Sequence, residues 1–174
     1  MGIFIKGIII SLCCLCQFSC IHDDESYEYV DLKPGDIVPN FSVVMNNGEL
    51  FSTSSLKGNV SLIVFFHTEC PDCREELPVI QRVYNRFKDK KTVGVCCISR
   101  EETASDIEAF WQENALTLPY SAQPDRTVYS LFSTERIPRV YVVKPDLKIY
   151  SAYSDSPVAS YEELVADVLK CLGE

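Results

Sequence analysis

The sequence predicts an α/β fold, a three-layer α/β/α sandwich with an N-terminal β-hairpin extension. Apolar runs typical of strands alternate along the chain with segments of helical period, and this order requires a central sheet covered by helices on both faces. Asn47-Gly48 lies between two short apolar runs and indicates a hairpin. Hydrophobic residues make up 47% of the 174, which is enough for one well-formed core.

The first 19 residues are typical of a secretory signal peptide. They form an apolar segment with a single charge, at Lys6, that is too short to span a membrane as a mature helix. Ser19-Cys20 resembles a bacterial lipobox, in which Cys20 is lipidated and becomes the first residue of the mature protein. Gln17 departs from the Leu usual in that motif, so a cleaved soluble form and a retained anchor stay open as alternatives.

Residues 20–33 are predicted to be a flexible tether, because their first part is acidic and none of it shows a hydrophobic period. The folded domain is expected to span residues 34–174. Its first elements are a strand pair at 42–45 and 49–51, followed by a buried strand at 60–66.

The second half of the domain continues the alternation. The predicted elements are a helix with an apolar face from Leu77 to Phe87, a strand at 92–98, a helix capped by Ser105, a short strand at 116–120, a helical piece capped by Asp125 with Val128, Leu131 and Phe132 inward, strands at 139–143 and 149–153, and a last helix capped by Ser160.

A Cys-Pro-Asp-Cys motif lies where the buried strand 60–66 ends and the next helix begins. The unpaired N–H groups and the positive dipole at a helix N-terminus stabilise a thiolate. We therefore expect Cys70, at the helix tip, to be the attacking sulfur and Cys73, one turn further, to be the resolving one. Pro71 suits the first helical turn, and Pro78 is expected to kink the helix.

Two other roles for these cysteines are less consistent with the sequence. A structural zinc site needs further ligands, yet the chain has only two histidines, and Cys96-Cys97 lacks the usual ligand spacing. Cys96 and Cys97 point to opposite faces of a strand and are interpreted as small core residues. The remaining alternative is a pair of inert thiols. No metal or organic cofactor is expected, and a net charge of −9 without a basic stripe argues against nucleic acid as a partner.

From Pro34 to Leu172 the chain resembles thioredoxin-fold thiol-disulfide oxidoreductases of the TlpA/ResA-like group, which are secreted and often membrane-tethered. The matching features are Pro39-x-Phe41, the Cys-Pro-Asp-Cys motif after an apolar strand, Pro78, and Ile137-Pro138 before a strand. The resemblance implies that Pro138 is cis and lies against the active-site disulfide, and that Ile137 offers backbone hydrogen bonds to the substrate. From the residues alone, an ordinary trans bond stays open, since the cis form is the minority in folded proteins.

The chain departs from thioredoxins proper at two positions: Glu69 replaces the aromatic residue before the first cysteine, and Val64 replaces their buried acid. The group that relays the proton from Cys73 is therefore open, with Glu69 and Glu76 as candidates. We interpret both as surface charges that tune the site. Because Glu69 and Asp72 oppose a thiolate at Cys70, we expect a reductant or a mildly poised exchanger.

The expected function is thiol-disulfide exchange outside the cytoplasm, with disulfide-bearing client proteins and an upstream thiol electron donor as partners. The expected location is the periplasm, lipid-anchored through Cys20. The outer membrane is favoured because Ile21 stands where Asp resembles an inner-membrane retention signal. Two alternatives are a thiol peroxidase on the same fold, against which His67 and Ile63 argue, and a non-enzymatic surface lipoprotein that serves as a binding module.

Overall fold

A five-stranded sheet lies at the centre of the fold, which the computed structural model describes for residues 29–174. In chain order, the elements are β1 Ser42–Val44, β2 Leu50–Ser52, α1 Thr53–Leu56, β3 Val60–Phe66, α2 Pro71–Phe87, β4 Val93–Ser99, α3 Ala104–Glu113, β5 Tyr120–Ser121, a 3₁₀ turn Tyr129–Leu131, β6 Arg139–Val143, β7 Ile149–Tyr153 and α4 Tyr161–Leu172. The predicted signal segment 1–19, Cys20 and the first part of the predicted tether lie outside the described residues. Among the helices of residues 29–174, none is long and apolar enough to cross a membrane.

The strand order of the sheet is β5-β4-β3-β6-β7, and β1 and β2 form a separate antiparallel pair. β4 and β3 are parallel, whereas β6 is antiparallel to β3 and β7 is antiparallel to β6. Every residue of β3 is buried, as befits a central strand covered on both faces. The predicted α/β fold with an added N-terminal strand pair is confirmed.

The two faces of the sheet carry different layers. Because β3, β4 and β5 follow one another in one direction across the sheet, right-handed crossovers place α2 and α3 on the same face, and α4 packs against α2. Phe66 contacts Trp111 of α3 on this face, with ring centroids 5.0 Å apart. On the other face, Phe65 packs on Phe132 at 4.9 Å, and Phe132 packs on Phe41 at 5.4 Å. This second face carries little helix. The β1–β2 strand pair and the 3₁₀ turn cover most of it.

Most predicted elements are confirmed to within a residue or two, but four local predictions are wrong. Asp125 does not cap the 3₁₀ turn, whose capping residue is Val128, and its side chain instead accepts the Thr127 N–H at 2.8 Å. Thr103 caps α3 by accepting a hydrogen bond from the Asp106 N–H, and Ser105 lies inside the first turn. Leu131 is 41% exposed, because the 3₁₀ turn is too short to have a continuous inward face. Within 116–120 only Tyr120 joins a strand, since the N–H of Thr117 binds the Gln81 side chain at 2.7 Å instead of a neighbouring strand.

The end of the predicted tether is part of the folded domain. Asp31 forms an isolated β-bridge with Ser133 and an ion pair with Arg139 at 3.0 Å. The Leu32 N–H donates to the Phe132 carbonyl at 2.9 Å. Residues 31–32 therefore belong to the domain, contrary to the expectation that they are flexible. The sequence signal was weak here because a single bridge has no period.

Candidate active site

The two cysteines of the motif lie at the N-terminus of α2. Cys70 is the capping residue, with extended backbone angles, and Pro71 is the first helical residue, where its missing N–H leaves no hydrogen bond unmade. Cys70 is partly exposed, whereas Cys73 is fully buried, and both are free thiols. Only the Cys70 sulfur is therefore accessible to a large substrate.

Burial governs the acidity of Cys73. It raises the pKa of this thiol well above its ordinary value, and contact with Cys70 raises it further, whereas a hydrogen bond from the backbone of His67 lowers it. At neutral pH Cys73 is consequently protonated. It can act as a nucleophile only after another group has taken its proton.

Ile137 and Pro138 lie directly opposite Cys70. The peptide bond between them is cis, and the Cys70 sulfur is 3.7 Å from the Ile137 carbonyl oxygen, in position to donate to it. The start of α2 and the loop before β6 thus meet at the Cys70 sulfur. The roles of these two residues toward a substrate stay predictions.

Glu76 is not a surface charge, and the expectation that it is one was wrong. Its side chain is 1% exposed, on the face of α2 that also buries Cys73. One carboxyl oxygen accepts a hydrogen bond from the Ala159 N–H at 3.3 Å, and the other has no partner among the described residues. Burial raises the pKa of Glu76 to about 8. A carboxyl group with this pKa can accept and release a proton near neutral pH.

Two further thiols, Cys96 and Cys97, lie in the core on β4. Cys97 pairs in register with Val64 of β3. Burial raises the pKa of Cys97, and the charge of Glu76 adds to that effect. Cys96 lies on the other face of β4, with its sulfur 3.6 Å from that of Met45. Both cysteines are fully buried core residues, as the strand pattern predicted.

The other two acids near the motif are exposed. Glu69 precedes the helix, and its backbone N–H donates to His67 Nδ1 at 3.1 Å. Asp72 lies in the first turn of α2, where a negative charge interacts favourably with the helix dipole. Neither carboxylate forms a hydrogen bond to either cysteine of the motif, whereas Glu76 is buried on the same face of α2 as Cys73.

Thr68 and Glu102 are buried polar residues at the site that the sequence analysis did not single out. The Glu102 carboxylate accepts hydrogen bonds from both the backbone N–H and the hydroxyl of Thr68. Glu102 follows β4, and Thr68 follows the parallel neighbour β3. That shared position at the carboxyl ends of paired parallel strands is the one signal that could have linked them.

A groove with a volume of about 420 Å³ runs beside the Cys70 sulfur. Its lining comprises Cys70 and Ile137, the basic residues His67, Arg100, Arg126 and Arg136, and the acids Asp72, Glu135 and Asp155. Charges of both signs are therefore available to a bound segment of another protein. Within residues 29–174, no cluster of three or more His, Cys, Asp or Glu side chains is arranged to hold a metal ion.

Comparison with known proteins agrees with this geometry. A family model described as the AhpC/TSA family matches residues 34–152. The chain is 23% identical over 168 residues to thiol-disulfide oxidoreductase ResA of Bacillus subtilis (strain 168), covering 94% of this chain and 93% of that protein. Among solved structures, a putative protein disulfide isomerase from Bacteroides thetaiotaomicron superposes with a TM-score of 0.77 at 23% identity, over 84% of this chain and 93% of that one. A secreted thiol-disulfide isomerase from Corynebacterium glutamicum superposes with a TM-score of 0.67 at 18% identity, over 79% and 86%.

Proposed function

The chain belongs to the AhpC/TSA family, and from this premise we propose that it reduces or exchanges disulfides of client proteins through Cys70 and Cys73. It is a thiol-disulfide oxidoreductase with a thioredoxin-like fold. One observation carries the proposal: an accessible thiol at a helix N-terminus, 3.7 Å from the Ile137 carbonyl, has a buried second thiol one turn behind it.

The first step is attack by the Cys70 thiolate on one sulfur of a client disulfide. A new S–S bond forms between Cys70 and the client, and the electron pair of the broken bond leaves on the second client sulfur. The N-terminus of α2 favours the negative charge on Cys70 before attack. The groove along Cys70 and Ile137 has room for the client segment that carries the disulfide.

The second step is resolution of this mixed disulfide by Cys73. Glu76, as carboxylate, takes the Cys73 proton, and the Cys73 sulfur then attacks the Cys70 sulfur and releases the reduced client. What supports Glu76 as acceptor is its burial beside Cys73 and its pKa of about 8. The Cys70–Cys73 disulfide returns to two thiols when an upstream thiol donor supplies two electrons and two protons.

The redox poise of the pair follows from the charges around Cys70. Glu69 and Asp72 oppose a thiolate, whereas three arginines of the groove favour one, so neither sign dominates. We expect a mild exchanger or reductant, with a reduction potential between about −280 and −180 mV. Equilibration in glutathione buffers, followed by acid trapping and mass spectrometry, measures this value. A potential near −120 mV, typical of a strong oxidant, would contradict the charge argument.

We also propose that the protein works in the cell envelope, with residues 1–19 as signal peptide, Cys20 as lipid-bearing first residue, and the periplasm as location, favouring the outer membrane. The apolar leader and Ser19-Cys20 support this, as does the secreted relative. Labelling cells with a tagged fatty acid tests it. The expected result is label incorporation that disappears in a Cys20→Ser variant. Equal labelling of the wild-type protein and the variant would contradict a lipid anchor at Cys20.

Paired cysteine variants test the activity itself. With a disulfide-linked peptide dimer as substrate, the reduced wild-type protein should release two peptide thiols and end as the Cys70–Cys73 disulfide. Cys73→Ser should stop at a mixed disulfide that mass spectrometry detects, and Cys70→Ser should form none. Consumption of hydrogen peroxide by the reduced protein without reaction with the peptide would favour the peroxidase instead. No reaction with either oxidant would favour a binding module.

A further inference from the structure

The loop between β3 and α2, residues His67 to Glu69, supplies backbone groups that contact both cysteines of the motif. The carbonyl of His67 accepts the Cys70 N–H at 3.1 Å. The backbone of His67 also interacts with the Cys73 sulfur and favours its thiolate. A shift of this loop would therefore move the backbone groups that orient the two cysteines.

A single buried carboxylate from another part of the chain fixes this loop. Glu102 is 4% exposed and Thr68 is likewise 4% exposed. The Thr68 N–H is 3.0 Å from one carboxyl oxygen of Glu102 and 3.2 Å from the other, and the Thr68 hydroxyl donates to the first. Hydrogen bonds to a charged acceptor out of contact with water are among the stronger ones in proteins.

Glu102 itself is held firmly. Its backbone N–H donates to the Gln123 carbonyl at 2.9 Å. The next residue, Thr103, caps α3, and two residues earlier the Arg100 N–H donates to the Phe66 carbonyl at 3.0 Å. The carboxylate therefore projects from a rigid support onto the loop before Cys70, over a sequence separation of 34 residues.

We propose that Glu102 is a positioning residue of the thiol-disulfide reaction: through Thr68 it fixes the loop 67–69 so that Cys73 is oriented to resolve the mixed disulfide. The inference rests on the proposed function. The Glu102 carboxylate touches neither sulfur and exchanges no proton in the reaction. Its effect reaches His67 through the Thr68 backbone and directly, since Glu102 Oε1 lies 3.8 Å from His67 Nδ1.

Two substitutions at Glu102 separate its hydrogen bonds from its charge. Glu102→Gln keeps an oxygen that accepts the Thr68 N–H, whereas Glu102→Ala removes every acceptor. In the Ala variant we expect resolution of the peptide mixed disulfide to slow by at least about fivefold, the size expected for loss of one such hydrogen bond. The slowing should be by the same factor at every pH, because Glu76, which takes the Cys73 proton, is unchanged. The Gln variant should recover most of the rate.

Thr53→Val provides a matched control for simple loss of stability. Thr53 is also a buried anchor, since its oxygen accepts the Phe41 N–H at 2.9 Å and its hydroxyl donates to the Pro39 carbonyl at 2.7 Å. It lies in α1, and its hydrogen bonds hold the segment before β1 instead of the site loop. This variant should lower the melting temperature and leave the rate and pH profile of resolution unchanged.

The experiment mixes the reduced full-length protein, in a nonionic detergent, with the disulfide-linked peptide dimer. Acid quenching at set times between pH 5.5 and 9 is followed by mass spectrometry of the mixed disulfide and the free peptide. An Ala variant with the wild-type rate overturns the positioning role, as does a Thr53→Val variant in which resolution slows by the same factor. If the wild-type protein neither forms a mixed disulfide nor releases a peptide thiol, the proposed function fails instead.

Discussion

At the scale of single residues, the buried carboxyl group of Glu76 makes folding stability depend on pH. The ordinary pKa of a glutamate, 4.5, applies to the unfolded chain, whereas burial raises the folded value to about 8. Below pH 4.5 both states are protonated. As the pH rises from there to 8, the unfolded chain loses this proton while the folded protein keeps it, so stability falls across that window.

Glu76→Gln should remove this dependence. At pH 5 the two proteins should unfold with similar free energies, whereas at pH 9 the variant should be more stable by on the order of 4 kcal/mol. Urea unfolding at a series of pH values measures the difference. Parallel curves for wild type and variant would show that Glu76 ionises freely in the folded state. In the peptide assay, the same variant should accumulate mixed disulfide if Glu76 accepts the Cys73 proton.

Glu76 was predicted to be exposed because residue type was given more weight than helical period. A charge in the first turns of a helix is usually a dipole partner at the surface, and on that basis we interpreted Glu76 as exposed. Its spacing said otherwise: it lies three residues after Cys73 and four before Ile80, on the same buried face. Helical period was the better guide than residue type at this position.

At the scale of elements, the start of α3 offers a direct test of the capping assignment. The Thr103 hydroxyl oxygen accepts the Asp106 N–H, whereas Ser105 is an exposed residue of the first turn. Thr103→Ala should lower the free energy of unfolding by about 1 kcal/mol, because an N–H loses its acceptor. Ser105→Ala should change it by less than about 0.5 kcal/mol, since alanine is a strong helix former.

Urea unfolding of both variants at one pH provides the comparison. Equal losses in the two proteins would mean that Ser105 shares the capping role. A larger loss for Ser105→Ala would restore the cap that the sequence pattern predicted. Both residues fit the sequence rule for a cap, each with an acidic residue three positions later, at Asp106 and Glu108, and only the backbone path decides between them.

Elements were the most predictable scale of this protein. The strands β3, β4, β6 and β7 were located to within a residue because their apolar runs are bounded by turns or polar segments. The contact between Thr68 and Glu102 was not predicted, because nothing local in a sequence reveals a hydrogen bond across 34 residues. Sequence therefore indicated which segments surround the site but not which side chains hold it together.

At the scale of the whole molecule, the boundary of the folded domain lies earlier than predicted. The Asp31–Arg139 ion pair is mostly buried, with side chains 17% and 12% exposed. A protein that begins at Pro34 loses this pair and the hydrogen bond of Leu32. It should unfold at lower urea than one that begins at Tyr29, with a free-energy loss of about 2 to 4 kcal/mol.

Arg139→Ala in the longer protein serves as the control for this truncation. It leaves the mostly buried Asp31 carboxylate without its charged partner and should account for a large part of the loss, while the Leu32 hydrogen bond is retained. Identical urea midpoints for the proteins that begin at Tyr29 and at Pro34 would contradict this boundary. Residues 31–32 would then add nothing to stability, and the domain would begin at Pro34 as predicted.

Because Cys96 and Cys97 become buried on opposite faces of β4 only when the sheet forms, the products of oxidation should depend on whether folding or oxidation comes first. In the native protein these two thiols are sealed from solvent, so an oxidant reaches only the partly exposed Cys70 and Cys171 directly among the described cysteines, and Cys73 through Cys70. In a nascent or denatured chain every cysteine is equally open to attack, and only one of the possible pairings is Cys70–Cys73, the pair proposed to be functional. Chains that meet an oxidant before β4 is inserted into the sheet should be trapped as scrambled isomers, whereas chains that fold under reducing conditions should afterwards oxidise to a single species.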